Sequence, residues 1–197
     1  MFGVEKKFCF HLLHGHLSLG LGTVMLGKNL ATFEACWVRP TPISQLDPSN
    51  MHGHIFVMDA SGNFCPYEFR EGPPTPMSAN DNAFVTAFKA YLSCYGLTEV
   101  LGLEMAPKTK MVELILDKNF GTVVMEPKHS KDAQSGKAPP GRSTAWGGIN
   151  ELKGNVVSHQ ERVNNLPHYF VSDSKRDPWE EDEKFVLDTL RKFDAIE

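Results

Sequence analysis

The sequence predicts an α+β fold: a single domain over residues 1–197, built on a strongly curved, mainly antiparallel sheet of about seven strands. Apolar and polar residues alternate in several segments, and turn-forming residues separate these segments. Two other segments have the apolar spacing and the capping residues of helices. We expect the sheet to curl into a half-open barrel, with a central helix and a C-terminal helix over its outer face or its mouth.

The N-terminal region predicts the first hairpin of this sheet. Residues 8–26 are expected to form one long strand, because leucines alternate with histidine, serine and glycine along "LLHGHLSLGLG". The sequence "GKNL" at 27–30 predicts a turn, and "ATFEACWV" at 31–38 predicts the return strand.

The number of residues in this turn decides which side chains share a face. With an even number, His14 and His16 lie on the same face as Phe33 and Trp37. Trp37 would then lie across Gly20, which leaves room for the indole ring. The sequence therefore predicts two histidines beside aromatic side chains.

A second hairpin is predicted from a strand at 52–58, the turn sequence "ASGN" and a strand at 64–70. Pro66 indicates that the later strand lies at a sheet edge or carries a bulge, because proline donates no hydrogen bond to a neighbouring strand. A two-residue turn would place His54 on an aromatic face that holds Phe56, Met58, Cys65, Tyr67 and Phe69. A three-residue turn would reverse that assignment.

The central helix is predicted over residues 78–96. Ser78 or Asn80 can cap its first turn, and Gly96 can end it. Four aromatic residues recur at helical spacing: Phe84, Phe88, Tyr91 and Tyr95.

The second half of the chain predicts fewer regular elements. Residues 97–105 predict a strand and residues 111–127 predict a hairpin. Residues 127–147 are rich in Gly, Pro and Ser, so we expect a long flexible loop or lid. Four basic residues could let this loop hold an anion: Lys128, Lys131, Lys137 and Arg142.

A terminal helix is predicted over residues 178–194. Asp177 caps it, Pro178 occupies its first position, and acidic residues fill the first turns, where the helix dipole favours negative charge. The buried stripe is expected to comprise Val186, Leu190 and Phe193.

Composition narrows the classes of function. The formal net charge is −4 without a basic stripe, so we expect neither a nucleic-acid nor a membrane-surface partner. No apolar run approaches the roughly 18 residues of a membrane-spanning helix. The N-terminal residues are interrupted by histidines and are not typical of a signal peptide. Four widely spaced cysteines indicate neither a disulfide framework nor a zinc ribbon, so a reducing, cytoplasmic setting is expected.

The two predicted hairpins together indicate a ligand cavity. Its polar groups would be His14, His16 and His54, and its walls would be Phe33, Trp37, Phe56, Tyr67 and Phe69. An apolar wall lowers the pKa of an imidazole and lets it exchange a proton near neutral pH.

We therefore expect a small-molecule enzyme without a redox cofactor or metal, acting on a largely apolar organic molecule as an isomerase, cyclase, dehydratase or hydrolase. His54 is the favoured base because its predicted neighbours are the most aromatic, and His14 or His16 would act as the acid or orient the substrate.

Three alternatives stay open. The two His-x-His pairs could bind a metal ion, although the nearest carboxylates in sequence, Glu34 and Asp59, are predicted away from them. The same cavity could serve a non-catalytic carrier. An intracellular interaction protein could instead use a solvated sheet face and the acidic terminal helix. The sequence is compatible with a homo-oligomer.

Overall fold

Ten strands and two α-helices make up the described part of the chain in the computed structural model. The structure describes residues 2–13, 19–31, 34–116, 120–131, 142–147, 154–159, 183–192 and 195–196. For 142–147 and 154–159 it describes the backbone and, of the side chains, that of Ala145.

The strands, in chain order, are β1 (Phe8–Leu12), β2 (Thr23–Asn29), β3 (Ala35–Pro42), β4 (Met51–Met58), β5 (Phe64–Glu71), β6 (Leu101–Met105), β7 (Met111–Ile115), β8 (Thr122–Met125), β9 (Arg142–Gly147) and β10 (Gly154–His159). The helices are α1 (Ala79–Tyr95) and α2 (Glu183–Lys192). Neither described helix has the length and apolar character that crossing a membrane requires.

The sheet has the order β1-β6-β4-β5-β2-β3-β8-β7 and forms a curled half-barrel of eight strands. Its pairs are antiparallel except for β2 with β5. The β10 strand runs parallel to β7, and β9 joins β10 to β1, so that these two strands close the ring. The predicted α+β class, the curvature and the two helices are confirmed.

The outer face of the barrel is apolar and carries both helices. Under α2, Trp37 and Leu190 belong to a buried cluster with Leu114, Val123, Met125 and Val186. Under α1, Phe8 and Leu103 pack with Phe88 and Leu92. Helix α2 therefore buries Val186 and Leu190, as the apolar pattern predicts, whereas Asp177, Pro178 and Phe193 lie outside the described residues.

The pairing of residues on neighbouring strands shows which side chains lie on the inner face of the barrel. Cys9, Glu104, Ile55, Glu68 and Met25 are successive partners across β1, β6, β4, β5 and β2. Directly paired residues share one face of a sheet, so these side chains form one row inside the barrel.

The first predicted hairpin is wrong in its boundaries. A turn links Thr23 N to Gly20 O, with Gly22 at φ 73°, so residues 8–26 do not form one strand. The β2 strand continues through "GKN", and Leu30 is 6% exposed in the cluster under α2 rather than in a turn. The turn comes four residues later than predicted, and Leu30 N donates to Ala35 O. The burial of Leu30 in the apolar cluster is favoured over a turn at 27–30, which the sequence "GKNL" had predicted.

The prediction of which residues share a face in this hairpin is nevertheless correct. Leu26 pairs with Arg39, so even-numbered residues of β2 share a face with odd-numbered residues of β3. Trp37 pairs with Lys28 and not with Gly20.

Helix α1 matches its prediction closely. Ser78 and Asp81 form a capping box, and Gly96 ends the helix at φ 64°. The buried stripe contains Phe88 and Leu92, whereas Tyr91 and Tyr95 are 50% and 65% exposed.

The loop predicted over 127–147 is wrong at both ends. Pro127–His129 form a short 3-10 helix, and Arg142–Gly147 form strand β9. Lys128 pairs with Glu34 and Glu126 on the surface. Residues 132–141, and so Lys137, lie outside the described residues.

Candidate functional site

A buried carboxylate lies between two histidines on the inner face of the barrel. Glu104 on β6 places Oε2 2.8 Å from Nδ1 of His11 on β1, and Oε1 3.4 Å from Nε2 of His54 on β4. The Glu104 side chain is 5% exposed and that of His54 is 15% exposed. We call these three residues the His–Glu–His group.

Strand register explains how the group assembles. His11 lies two residues beyond Cys9, the partner of Glu104, and so projects to the same face. His54 reaches this face through a β-bulge: the register between β4 and β5 shifts between Gly53 and Ile55, with His54 as the extra residue, while Ile55 pairs with Glu104. A bulge re-aims one side chain, which here turns His54 inward.

The group is held together by charge. Burial opposes ionisation of Glu104, but hydrogen bonds and charge from His11 and His54 outweigh it and hold the pKa of Glu104 well below its ordinary value of 4.5. Burial also opposes the charged form of His11, yet Glu104, and at longer range Glu68 and Glu113, raise the pKa of His11 above 6.5. Glu104 is therefore ionised at neutral pH.

An ionised carboxylate accepts hydrogen bonds and donates none. Nδ1 of His11 must then carry the proton that it shares with Glu104. A proton on Nε2 of His54 would face the other oxygen at 3.4 Å, and in a neutral ring that tautomer leaves the free lone pair on Nδ1.

A second charged pair lies on the same face. Arg70 Nε donates to Glu68 Oε1 at 2.7 Å, and this carboxylate raises the pKa of Arg70 although burial opposes it. A Cβ on Gly27 would lie 2.5 Å from Cδ of Arg70 and 2.7 Å from Sγ of Cys36. The glycine of "GKN" is thus required in β2 because its missing side chain makes room for the guanidinium stem.

Tyr67 also faces the interior. The β4–β5 register shifts a second time at Tyr67, one step after Pro66, which confirms the bulge that proline predicted. Its ring packs against the cluster of Met25, Val38 and Val124. Burial, followed by the charges of Glu68 and Glu113, raises the pKa of Tyr67 to about 12, so it is a phenol at neutral pH.

The two buried cysteines are thiols rather than thiolates. Burial raises the pKa of Cys9 and of Cys36, and the Cys9 thiol lies 3.7 Å from the carbonyl oxygen of Glu104. Because the thiolate is the nucleophile, this environment does not favour cysteine chemistry.

The predicted site residues divide between two faces and the undescribed segments. His54 and Tyr67 lie on the inner face. His14, His16 and Phe33 lie outside the described residues. Trp37 lies on the outer face, 1% exposed, and donates from Nε1 to Phe120 O at 2.6 Å.

Phe56 and Phe69 are on the outer face as well. They line an open cavity of about 460 Å³ between α1 and the sheet, which we call the outer groove. Its other walls include Phe8, Met51, Phe64, Val85, Leu103 and Met105.

Among the described residues of the predicted cavity, His54 does not share a face with Trp37, Phe56 and Phe69. Asp59 N donates to Asn63 O, so three residues form the turn and Phe56 pairs with Pro66 on the outer face. His54 has Glu104 and not an aromatic wall as its neighbour. Only the two bulges bring His54 and Tyr67 back to the inner face.

Sequence reasoning missed His11, Glu104, Glu68 and Arg70. A weak signal existed for Glu104, which is the single charged residue in the apolar strand "LGLEM". A carboxylate in a strand buried on both faces needs a partner, and the nearest chemically suitable partners are histidines. His11 carried no such signal because it precedes the strict alternation of residues 13–22.

No described group of three or more His, Cys, Asp or Glu side chains is arranged to hold a metal ion. His14 and His16, which the metal alternative requires, are outside that search. The chain matches no protein-family model, no curated protein and no solved structure.

Proposed function

We propose that the protein is a small-molecule enzyme that works by histidine acid–base chemistry, with His54 as the group that exchanges a proton with the substrate. The observation that carries this proposal is the buried carboxylate of Glu104 between His11 and His54. The reaction class is proton transfer, as in an isomerase, cyclase, dehydratase or hydrolase, without a redox cofactor.

The arrangement suits a general base. Glu104 holds the His54 ring by its Nε2–H and stabilises the positive charge that the ring gains when Nδ1 takes a proton. His11 compensates the charge of Glu104, which keeps this carboxylate from binding a proton itself. His54 is the more exposed histidine of the two, at 15% against 11%.

Energetics support a functional role. A buried ion pair is often less stabilising than apolar residues of the same volume, because desolvation offsets the attraction. The barrel interior contains the His–Glu–His group and the Arg70–Glu68 pair. Apolar residues at these positions would stabilise the fold equally well, so stability alone does not account for the charged groups. Clusters of buried titratable groups with shifted pKa values concentrate at functional sites.

The test is a conversion assay in heavy water with pooled small organic compounds, followed by mass spectrometry. We expect the wild-type protein to incorporate deuterium into one class of compound and the His54→Gln variant to lose this activity. His52→Gln is the matched control, because His52 lies on the same strand and its Nδ1 is 3.3 Å from the Gly72 carbonyl. Unchanged turnover in His54→Gln would remove the proposal.

A non-catalytic carrier is the second candidate, favoured by the outer groove. Its volume of about 460 Å³ lies in the range of small-molecule sites, and its walls are mostly aromatic and aliphatic. An apolar ligand in the groove should enhance the fluorescence of anilinonaphthalene sulfonate or displace this dye. Val85→Trp should block the dye, whereas Thr86→Trp on the exposed side of α1 should not. Equal dye binding by both variants would exclude the groove.

A further inference from the structure

The phenol oxygen of Tyr67 has no hydrogen-bond partner among the described residues. The ring is nevertheless well packed, against Met25, Val38 and Val124. The residue is only partly buried and its oxygen is not among the buried polar atoms that lack a partner, so this donor is open to a ligand on the inner face of the barrel.

The two bulges bring this donor toward the His–Glu–His group. His54 is the extra residue on β4 and Tyr67 is the extra residue on β5, and the two strands are neighbours. Between the two bulges, Ile55 pairs with Glu68, so the extra residues flank a single pair of partners. A bulge turns two consecutive side chains to one face, which places Tyr67 beside Glu68 and His54 beside Ile55.

Charge effects agree with this placement. The charges of Glu68 and Glu113 raise the pKa of both Tyr67 and His11. The phenol and His11 therefore lie within the field of the same two carboxylates.

We propose that Tyr67 donates a hydrogen bond to a carbonyl oxygen of the substrate while His54 removes a proton from the adjacent carbon. This inference rests on the proposed function of His54, and it names the substrate class: a small carbonyl compound with an apolar portion. Met25, Val38 and Val124 would contact that apolar portion beside the phenol.

The proposed step balances without any further reactant. The C–H bond next to the carbonyl breaks, its proton moves to Nδ1 of His54, and its electron pair forms a C=C bond as the carbonyl electrons move onto oxygen. The Tyr67 hydroxyl stabilises that oxygen while keeping its own proton. The imidazolium then returns the proton to the same or another carbon, which gives exchange or isomerisation with no oxidant or reductant.

The test uses para-fluoroacetophenone as the probe in heavy water. Proton NMR follows exchange of its methyl protons, and fluorine NMR follows binding. We expect exchange by the wild type, no exchange by His54→Gln, and exchange about 100-fold slower in Tyr67→Phe, the typical effect of losing one donor to a developing oxyanion. Tyr91→Phe, at an exposed position of α1, should behave as wild type.

A purely structural role would make Tyr67→Phe lower the melting temperature without changing the fluorine shift of the bound probe. The donor role predicts the opposite: because the hydroxyl has no partner in the described part of the protein, Tyr67→Phe should keep the wild-type melting temperature and lose the fluorine shift. Wild-type exchange in Tyr67→Phe, with loss in His54→Gln, would overturn the role of Tyr67 and leave the proposed function intact. A Tyr67-dependent fluorine shift without His54-dependent exchange would support the donor and overturn His54 as the base. The absence of both effects would overturn the Tyr67 proposal.

Discussion

The two faces of the barrel differ in what they bury. The outer face buries apolar side chains under both helices, and its largest members, such as Trp37 and Leu190, are at most 1% exposed. The inner face buries titratable side chains as well, with Glu104 and Glu68 at 4% and 6% exposed. Both faces exclude water from their side chains, yet only the outer one gains the full hydrophobic contribution of about 25 cal/mol per Å².

This difference shows that apolar packing and buried charge can lie on opposite faces of the same strand. Alternate residues of β6 show it directly: Leu103 packs against Phe88 and Leu92 of α1, while Glu104 binds His11 and approaches His54. This strand thus contributes one side chain to the apolar core and the next to the His–Glu–His group. Substitutions on the two faces should therefore differ in pH dependence as well as in magnitude.

The largest effect is expected on the inner face. Glu104→Ala removes the buried carboxylate that His11 binds, and removing one member of a buried pair typically costs about 3–5 kcal/mol of unfolding free energy. Urea denaturation at pH 6 measures this loss. Glu99→Ala, at an exposed position before β6, is the control and should change stability by less than about 0.5 kcal/mol. A loss in Glu104→Ala as small as that in the control would show that the pair is not formed in solution.

A somewhat smaller effect is expected on the outer face. Leu190 of α2 is fully buried in the cluster that contains Trp37 and Met125, so Leu190→Ala should cost about 2–5 kcal/mol. Unlike the loss from Glu104→Ala, this loss should be the same at pH 5 and pH 8, because no charge is involved. Lys184→Ala, exposed on the same helix, is the control. An unchanged melting temperature for Leu190→Ala would mean that α2 is not docked.

The outer face could largely be predicted from the sequence. Apolar periodicity predicted both helices, and Ser78 and Gly96 correctly marked the ends of α1. Local signals suffice there, because a cap or a buried stripe depends on residues within one or two turns. The curved sheet followed from the number of alternating segments, although β9 and β10 were missed in segments with weak alternation.

The inner face could not be predicted in the same way. His54 and Tyr67 point inward only because two bulges shift the β4–β5 register, and a single-residue shift reverses every side chain beyond it. Pro66 indicated the bulge at Tyr67, but no residue in the sequence indicated the bulge at His54. The partnership of His11 with Glu104 joins residues 93 positions apart, which alternation within a strand does not reveal.

The prediction with the smallest expected effect concerns pH: the stability contributed by the inner face should depend on pH, and that of the outer face should not. The pKa of His11 is raised above 6.5 in the folded protein, so its contribution is fully present below pH 6.5 and is lost as the pH rises through the folded-state value. The pKa of Glu104 is lowered below 4.5, so its contribution is present above pH 4.5 and is lost as the pH falls through the folded-state value.

The His11–Glu104 pair should therefore stabilise most between pH 4.5 and 6.5. Each pKa unit of difference between folded and unfolded states corresponds to about 1.4 kcal/mol. His11→Asn should be less stable than the wild type in this window, and the difference should shrink as the pH rises toward alkaline values. Urea titrations at intervals from pH 4.5 to 9 measure the difference, with Leu190→Ala as the pH-independent reference. A His11→Asn deficit that stays constant over this range would show that His11 contributes by packing rather than by charge, and the inner face would then lose its electrostatic distinction from the outer one.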